Sequence, residues 1–304
     1  MSLFDEPKVD CHNHVLDPAR FAYAAVAAYR PAGAEIGTRA QHAAVMAAYG
    51  VRHALIVGPN SGYGPDNRCL LDALAHSGGA FKGIAVVAND CGRDELQRLK
   101  AAGIVGVAFN ATIFGTAHYA GTAPLLRRLA ELDLFVQVQV EHDQMAALAP
   151  LLVASGARIL IDHCGRPTPG AGLQQPGFQA VLALGKTLAR SGRATVKLSG
   201  FQKFSTQPLP YADARPYFDA LVEAYTPDAC VWASDWPFLK AAERVDIGPL
   251  LHLMADWLPD AADRRRLFWD TPCRLFGFGD DRLSASGVTT RPVPGAAPCR
   301  ERGA

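Results

Sequence analysis

The chain has 304 residues, 49% of them hydrophobic, and a formal net charge of +1. That supports a sizeable core in one large or two smaller α/β domains, and with no basic run it excludes a nucleic-acid or membrane-surface footprint. No apolar run approaches the roughly 20 residues that span a bilayer; the acidic start MSLFDEPKVD is unlike a signal peptide, and seven cysteines with no C-x-x-C spacing favour a reducing cytoplasm over a disulfide framework.

In chain order, Lys8 to His14 is predicted as the first strand and ends in Cys11-His12-Asn13-His14. Side chains alternate along a strand, so His12 and His14 share a face. Two imidazoles so placed can bind a divalent metal, polarise a carbonyl or hold a proton; the bland alternative is two unrelated polar residues leaving a strand. Residues 15–37 read as a long packed loop carrying Phe21, Tyr23 and Tyr29. Thr38-Arg39-Ala40-Gln41 fits a capping box opening a helix to Tyr49, with Gly50 behind it. Further strands are expected at 54–57, 81–88, 104–109, 134–140, 158–162, 194–198 and 230–233. Helices are expected between them at 66–75, 94–101, 123–132, 144–154, 178–189 and 214–225, with closing helices from Ile247. The strands are short and rich in Val, Ile and Leu, as in a parallel sheet buried on both faces.

Eight strands alternating with helices over about 280 residues have the rhythm of a (β/α)8 TIM barrel in a single domain. A doubly wound open sheet would be expected to carry a glycine-rich phosphate turn after the first strand, where this chain has His-Asn-His. The domain is placed at 1–280, with 281–304, rich in Ser, Gly, Thr, Pro and Arg, as a disordered tail.

Strand ends on the C-terminal face of such a barrel carry the chemistry. There the chain offers His12 and His14, Asn60 and Ser61, Asn110, Gln137 and Gln139, Asp162-His163 with Arg166, Lys197 and Ser199, and Asp235. Each alone has a structural reading: His163 as a satisfied buried histidine, Asp235 as a turn cap, Lys197 snorkelling to solvent, the two glutamines pairing with each other or with backbone. Asp162 should alternate away from His163, which suits a salt bridge or a cap. Three histidines and an aspartate at three strand ends are harder to explain that way.

HNH at 12–14, IDHCGRP at 161–167, ASDWPF at 233–238 and DTPCRLFGF at 270–278 together resemble the amidohydrolase superfamily, and within it the amidohydrolase-2 branch with its pyrone-dicarboxylate and sugar lactonases. The resemblance, over residues 8–279, implies a (β/α)8 hydrolase. It implies His12, His14 and His163 as the active-site histidines, Asp235 as the base, and Tyr29, Ser61 and Arg166 as substrate contacts; Asn110 and Gln139 are added to these from their strand-end positions. The arginines that a dicarboxylate would require near strand four are missing from GVAFNATIFG at 106–115, and after strand seven FQKF offers Lys203 in place of arginine. The expected substrate is therefore a small molecule with one carboxylate or a neutral polar ring.

The expected activity is opening of a lactone or similar cyclic ester by base-activated water. A single-metal decarboxylase and an inactive ligand-binding barrel are the alternatives. Binuclear members use a lysine and a histidine near the positions where this chain has Asn110 and Gln139, so the expected cofactor is at most one divalent ion, zinc first, on His12, His14 and His163 or Asp235, or none. Nucleic-acid and membrane partners are not expected; a homo-oligomer is left open.

Overall fold

A computed structural model describes residues 2–27 and 29–279; the tail expected at 281–304 lies outside the described residues. Eight parallel strands run in the order β1 to β8: Lys8–Asn13, Val51–Val57, Phe81–Ala85, Ile104–Asn110, Phe135–Gln139, Arg158–Ile161, Ala194–Leu198 and Cys230–Trp232. Helices on the outside are α1 (Arg39–Ala48), α2 (Arg68–Ala75), α3 (Arg93–Ala101), α4 (Ala111–Phe114), α5 (Ala123–Glu131), α6 (Gln144–Ser155), α7 (Pro176–Leu188) and α8 (Arg215–Tyr225), followed by α9 (Ile247–Trp257), α10 (Ala261–Arg265) and α11 (Thr271–Phe276). The expected TIM barrel is what the chain forms.

The ring closes between β1 and the segment after β8. Asp235 N–H donates to His12 O at 2.8 Å and His14 N–H to Trp236 O at 2.9 Å. The Asp10 carboxylate pins the seam, accepting from the amides of Ser234 at 2.9 Å and His12 at 3.2 Å and from the Ser234 hydroxyl. Residues 230–233 are expected as the last strand, but only Cys230–Trp232 is regular, and isolated backbone and side-chain bonds continue the seam beyond it.

The layer between strands and helices is packed by residues such as Val107, Val136, Ile159 and Val196 against Leu125, Leu148 and Phe218. Inside the barrel, Val9, Leu55, Ile84, Phe135, Leu160 and Val231 form a small core, and Trp269, Leu275, Phe276 and Phe278 close its lower end. The capping box holds: Thr38 Oγ1 accepts from the Gln41 amide and Gln41 Oε1 from the Thr38 amide. β3 stops at Ala85, short of the expected 88, because Asn67 takes Val86 out of the ladder, donating to its carbonyl at 2.8 Å and accepting from its amide at 3.0 Å. β2 starts earlier than expected, at Val51, since Lys8 and Val9 pair with Val51 and His53. No described helix is long and apolar enough to cross a membrane.

Candidate active site

A cavity of about 410 Å³ opens at the C-terminal ends of the strands. Three imidazoles and one carboxylate meet at its floor. His12 Nε2 lies 3.3 Å from His14 Nε2, and Asp235 Oδ1 lies 3.8 Å from His12 Nε2 and 3.6 Å from His163 Nε2. His12 and His14 thus share the face that strand alternation gives them.

The partners of each Nδ1 decide which tautomer is present. His14 Nδ1 faces the carbonyl of Val57 at 2.8 Å, and His12 Nδ1 faces Asp162 Oδ1 at 2.9 Å. The Val57 carbonyl only accepts, so His14 carries its proton on Nδ1 and presents a bare lone pair on Nε2. His12 Nδ1 also lies 3.1 Å from the Lys197 ammonium, which only donates, so both tautomers of His12 have a partner at Nδ1. Across the 3.3 Å between the two Nε2 atoms, His12 either donates a proton to His14 or shares a cation with it. His163 differs: its Nδ1 lies 3.1 Å from the Ser199 hydroxyl, which can donate and leave Nε2–H as a donor into the cavity. Burial keeps all three neutral, with His163 pushed down to about 3 and His14 lowered. His12 is held well below its ordinary value by burial and then by the Lys197 ammonium.

His163 depends on a glycine. After β7 the chain passes over its ring at Gly200, where φ is +69° and a Cβ would fall 2.5 Å from the imidazole. The segment after β6 also turns left-handed, with positive φ at His163, Cys164 and Arg166. That corrects the expected alternation: Asp162 reaches the same barrel interior as His163.

Beneath the histidines lies a buried ion pair. Lys197 Nζ is 2.8 Å from Asp162 Oδ1 and donates to Gln137 Oε1 at 2.6 Å, while Gln137 Nε2 donates to Asp162 Oδ2 at 2.9 Å. Lys197 does not snorkel; it is fully buried. Gln137 pairs with this ion pair and not with Gln139, which accepts from Asn110 Nδ2 at 2.9 Å.

The walls carry further charge. Lys203 Nζ lies 2.9 Å from Asp235 Oδ2 and donates to Leu239 O at 2.7 Å, and Gln202 Nε2 donates to the same Asp235 oxygen at 3.2 Å. Arg166 Nη2 lies 3.0 Å from Glu141 Oε2. Ser61, Asn110, Gln139 and Arg166 all line the cavity. Tyr29 does not: its hydroxyl donates to Glu35, and its ring lies under the Lys240 ammonium, 4.6 Å from the centroid. Glu141, Gln202 and Lys240 line the cavity without a sequence signal beyond their place just after strand ends.

The donor set can hold a metal. Ligand atoms of His12, His14 and Asp235 lie within 4.8 Å of one another, two imidazole nitrogens and a carboxylate oxygen that suit a divalent cation. The grouping of His12, Asp162 and His163 is also close, but Asp162 is already committed to Lys197 and to His12 Nδ1.

The chain is similar to known proteins over most of its length. The amidohydrolase family model matches residues 9–278. The 4-sulfomuconolactone hydrolase of Hydrogenophaga intermedia is 31% identical over 278 residues, covering 88% of this chain and 88% of that protein. The 2-pyrone-4,6-dicarboxylate hydrolase of Comamonas testosteroni is 28% identical over 278 residues, covering 88% and 89%. The crystal structure of a probable 2-pyrone-4,6-dicarboxylic acid hydrolase from Acinetobacter baumannii, with citric acid bound, aligns with a TM-score of 0.78 at 25% identity, covering 89% of this chain and 99% of that one. A match this long, on a barrel whose strand ends gather the same histidines and aspartate that the motifs mark, makes the chain a member of the amidohydrolase family.

Proposed function

We propose that the chain hydrolyses the ring ester of a small lactone bearing one carboxylate or a neutral polar substituent. The observation that carries this is Asp235: one oxygen is fixed by Lys203 and Gln202, and the other faces the cavity floor beside His12 and His163.

Asp235 Oδ1 takes a proton from water as the water oxygen bonds to the lactone carbonyl carbon. His163 Nε2–H donates to the developing oxyanion, which the Ser199 hydroxyl on its Nδ1 permits. The C–O ring bond then breaks, and the leaving alkoxide takes the proton from Asp235, giving a hydroxy acid. Ser61, Asn110 and Gln139 offer neutral hydrogen bonds to ring and carbonyl oxygens, and Arg166 orients the substrate from the wall. Residues His12, His14 and Asp235 would hold one divalent ion, zinc best matching a nitrogen-rich set, and such an ion polarises carbonyls and acidifies water. A second ion has only the neutral amides Asn110 and Gln139 on the neighbouring strands.

The test is a screen of carboxylated and neutral five- and six-membered lactones, with elemental analysis of the same sample. Ring opening with at most one divalent ion per chain is the expected result. CO2 release from an aromatic acid would favour a decarboxylase, and binding without turnover a ligand-binding barrel.

A further inference from the structure

The cavity's charges do not cancel. Among the described residues, its lining holds three cations, Arg166, Lys203 and Lys240, against two carboxylates, Glu141 and Asp235. Arg166 is paired with Glu141 and Lys203 with Asp235. The ion pair below is balanced within itself, Lys197 against Asp162. Lys240 is left: among the described residues no carboxylate lies within ion-pair distance of its ammonium, which rests over the Tyr29 ring, 4.6 Å from the centroid.

The position of Lys240 is built. Its backbone amide donates to Glu35 Oε1 at 2.6 Å, and Glu35 Oε2 accepts from the Tyr29 hydroxyl and, at 3.3 Å, from the Ala32 amide. One carboxylate thus ties the loop after β8 to the long loop after β1 through groups other than the ammonium. An exposed cation over a phenol ring gains only about 0.5–1 kcal/mol, so a carboxylate can displace the ring at little cost.

We infer that Lys240 is the carboxylate subsite of this cavity. It takes the single carboxylate of the substrate, and Glu141 and Asp235 set a preference for monoanions by cancelling the other two cations. A dianion would have to break one of those pairs and leave a protein carboxylate unpaired in a half-buried wall. A lysine suits the task, because its flexible stem can follow substituent arms of different length where an arginine fork could not. This rests on the lactone reading only for the reacting end of the substrate; the subsite itself is a matter of binding.

The experiment therefore separates binding from turnover. Tetrahydrofuran-2-acetate, which cannot be hydrolysed, and its carboxamide are titrated calorimetrically into the parent, Lys240→Met and Lys240→Arg proteins. The parent should bind the carboxylate at least tenfold tighter than the amide, Lys240→Met should lose that preference with its affinity for the amide unchanged, and Lys240→Arg should recover part of it. A preference that survives Lys240→Met, a parent that binds both probes equally, or no binding of either probe overturns the subsite. In parallel, the unsaturated five-membered lactone with a carboxymethyl arm and its carboxamide are assayed for ring opening. With these, Lys240→Met should raise KM for the acid about tenfold and leave kcat in place. Loss of the lactone reading would show as absent turnover with the Lys240-dependent binding preference intact.

Discussion

Lys203 holds Asp235 by one oxygen only. Its Nζ lies 2.9 Å from Oδ2, while Oδ1 stays on the side of the imidazoles. The two oxygens of one carboxylate are thus divided between an anchor and the reacting centre. Asp235→Asn should leave a folded barrel and remove most turnover, because the amide keeps the shape and loses the basic lone pair. Lys203→Met should lower kcat by about ten- to a hundredfold, the scale of a charged hydrogen bond at roughly 1.5–3 kcal/mol, with little change in KM for a neutral lactone. Steady-state kinetics on circular-dichroism-matched samples check both; near-parental kcat in Asp235→Asn would sink the mechanism.

Much of this site was legible because its members interrupt apolar strands. His12, His14, His163 and Asp235 stand out against Val, Ile and Leu, and strand ends converge in a barrel whatever the details of its helices. What one strand's sequence cannot hold is the partner on another strand. Lys197 looked like a snorkelling lysine and is instead buried against Asp162, 35 residues earlier in the chain. Asp162 makes the salt bridge expected of it, with Lys197, but on the same side as His163, because β6 ends at Ile161 and a left-handed turn follows. Glu141, Gln202 and Lys240 lie on connecting segments, where no period says which way a side chain faces. Tyr29 was placed by resemblance alone, and its hydroxyl is turned to Glu35.

The buried pair beneath the histidines gives a stability prediction. Lys197 and Asp162 are both fully buried and within 2.8 Å. Removing one partner strands a buried charge and typically costs about 3–5 kcal/mol. Lys197→Met should therefore be strongly destabilised in urea unfolding, and Lys197→Met with Asp162→Asn should be less destabilised than the sum of the single changes. An additive double variant would show that the pair is not coupled.

His42 predicts an acid limb of stability. Its Nε2 bonds Asn13 Oδ1 at 2.8 Å, its Nδ1 is buried without a partner, and burial pushes its pKa from 6.5 down to about 4. The unfolded chain then binds the proton more readily than the folded one, so this contribution is complete above pH 6.5 and is lost progressively as pH falls towards 4. Buried Asp10, raised from 3.8 to about 6 by desolvation, acts with the opposite sign over much of that range, so the parent curve alone does not isolate His42. A His42→Gln variant, which keeps a donor for Asn13, does. Relative to the parent it should gain about 2 kcal/mol between about pH 7 and about pH 4.5, since each tenfold difference in proton affinity between the folded and unfolded chain is worth about 1.36 kcal/mol. A constant difference across that range would mean that His42 titrates normally in the folded protein.

The Arg166–Glu141 pair makes a prediction about what the cavity rejects. Arg166 Nη2 and Glu141 Oε2 are 3.0 Å apart, and their side chains are 19% and 28% exposed, so the pair is only partly screened. Glu141 neutralises the only arginine among the described residues of the lining. Replacing it with Gln frees the guanidinium for a bidentate carboxylate contact and leaves the cavity one charge more positive. Glu141→Gln should therefore bind 2-pyrone-4,6-dicarboxylate about ten- to a hundredfold tighter than the parent does, on the scale of a charged hydrogen bond, while affinity for a monocarboxylated lactone changes little. Arg166→Met in the same background should abolish the gain. Inhibition constants for the two ligand types across the four proteins of the cycle check this. Tight dicarboxylate binding by the parent would show that Arg166 reaches the ligand despite Glu141, and an unchanged constant in Glu141→Gln would show that the pair braces the wall without choosing the substrate.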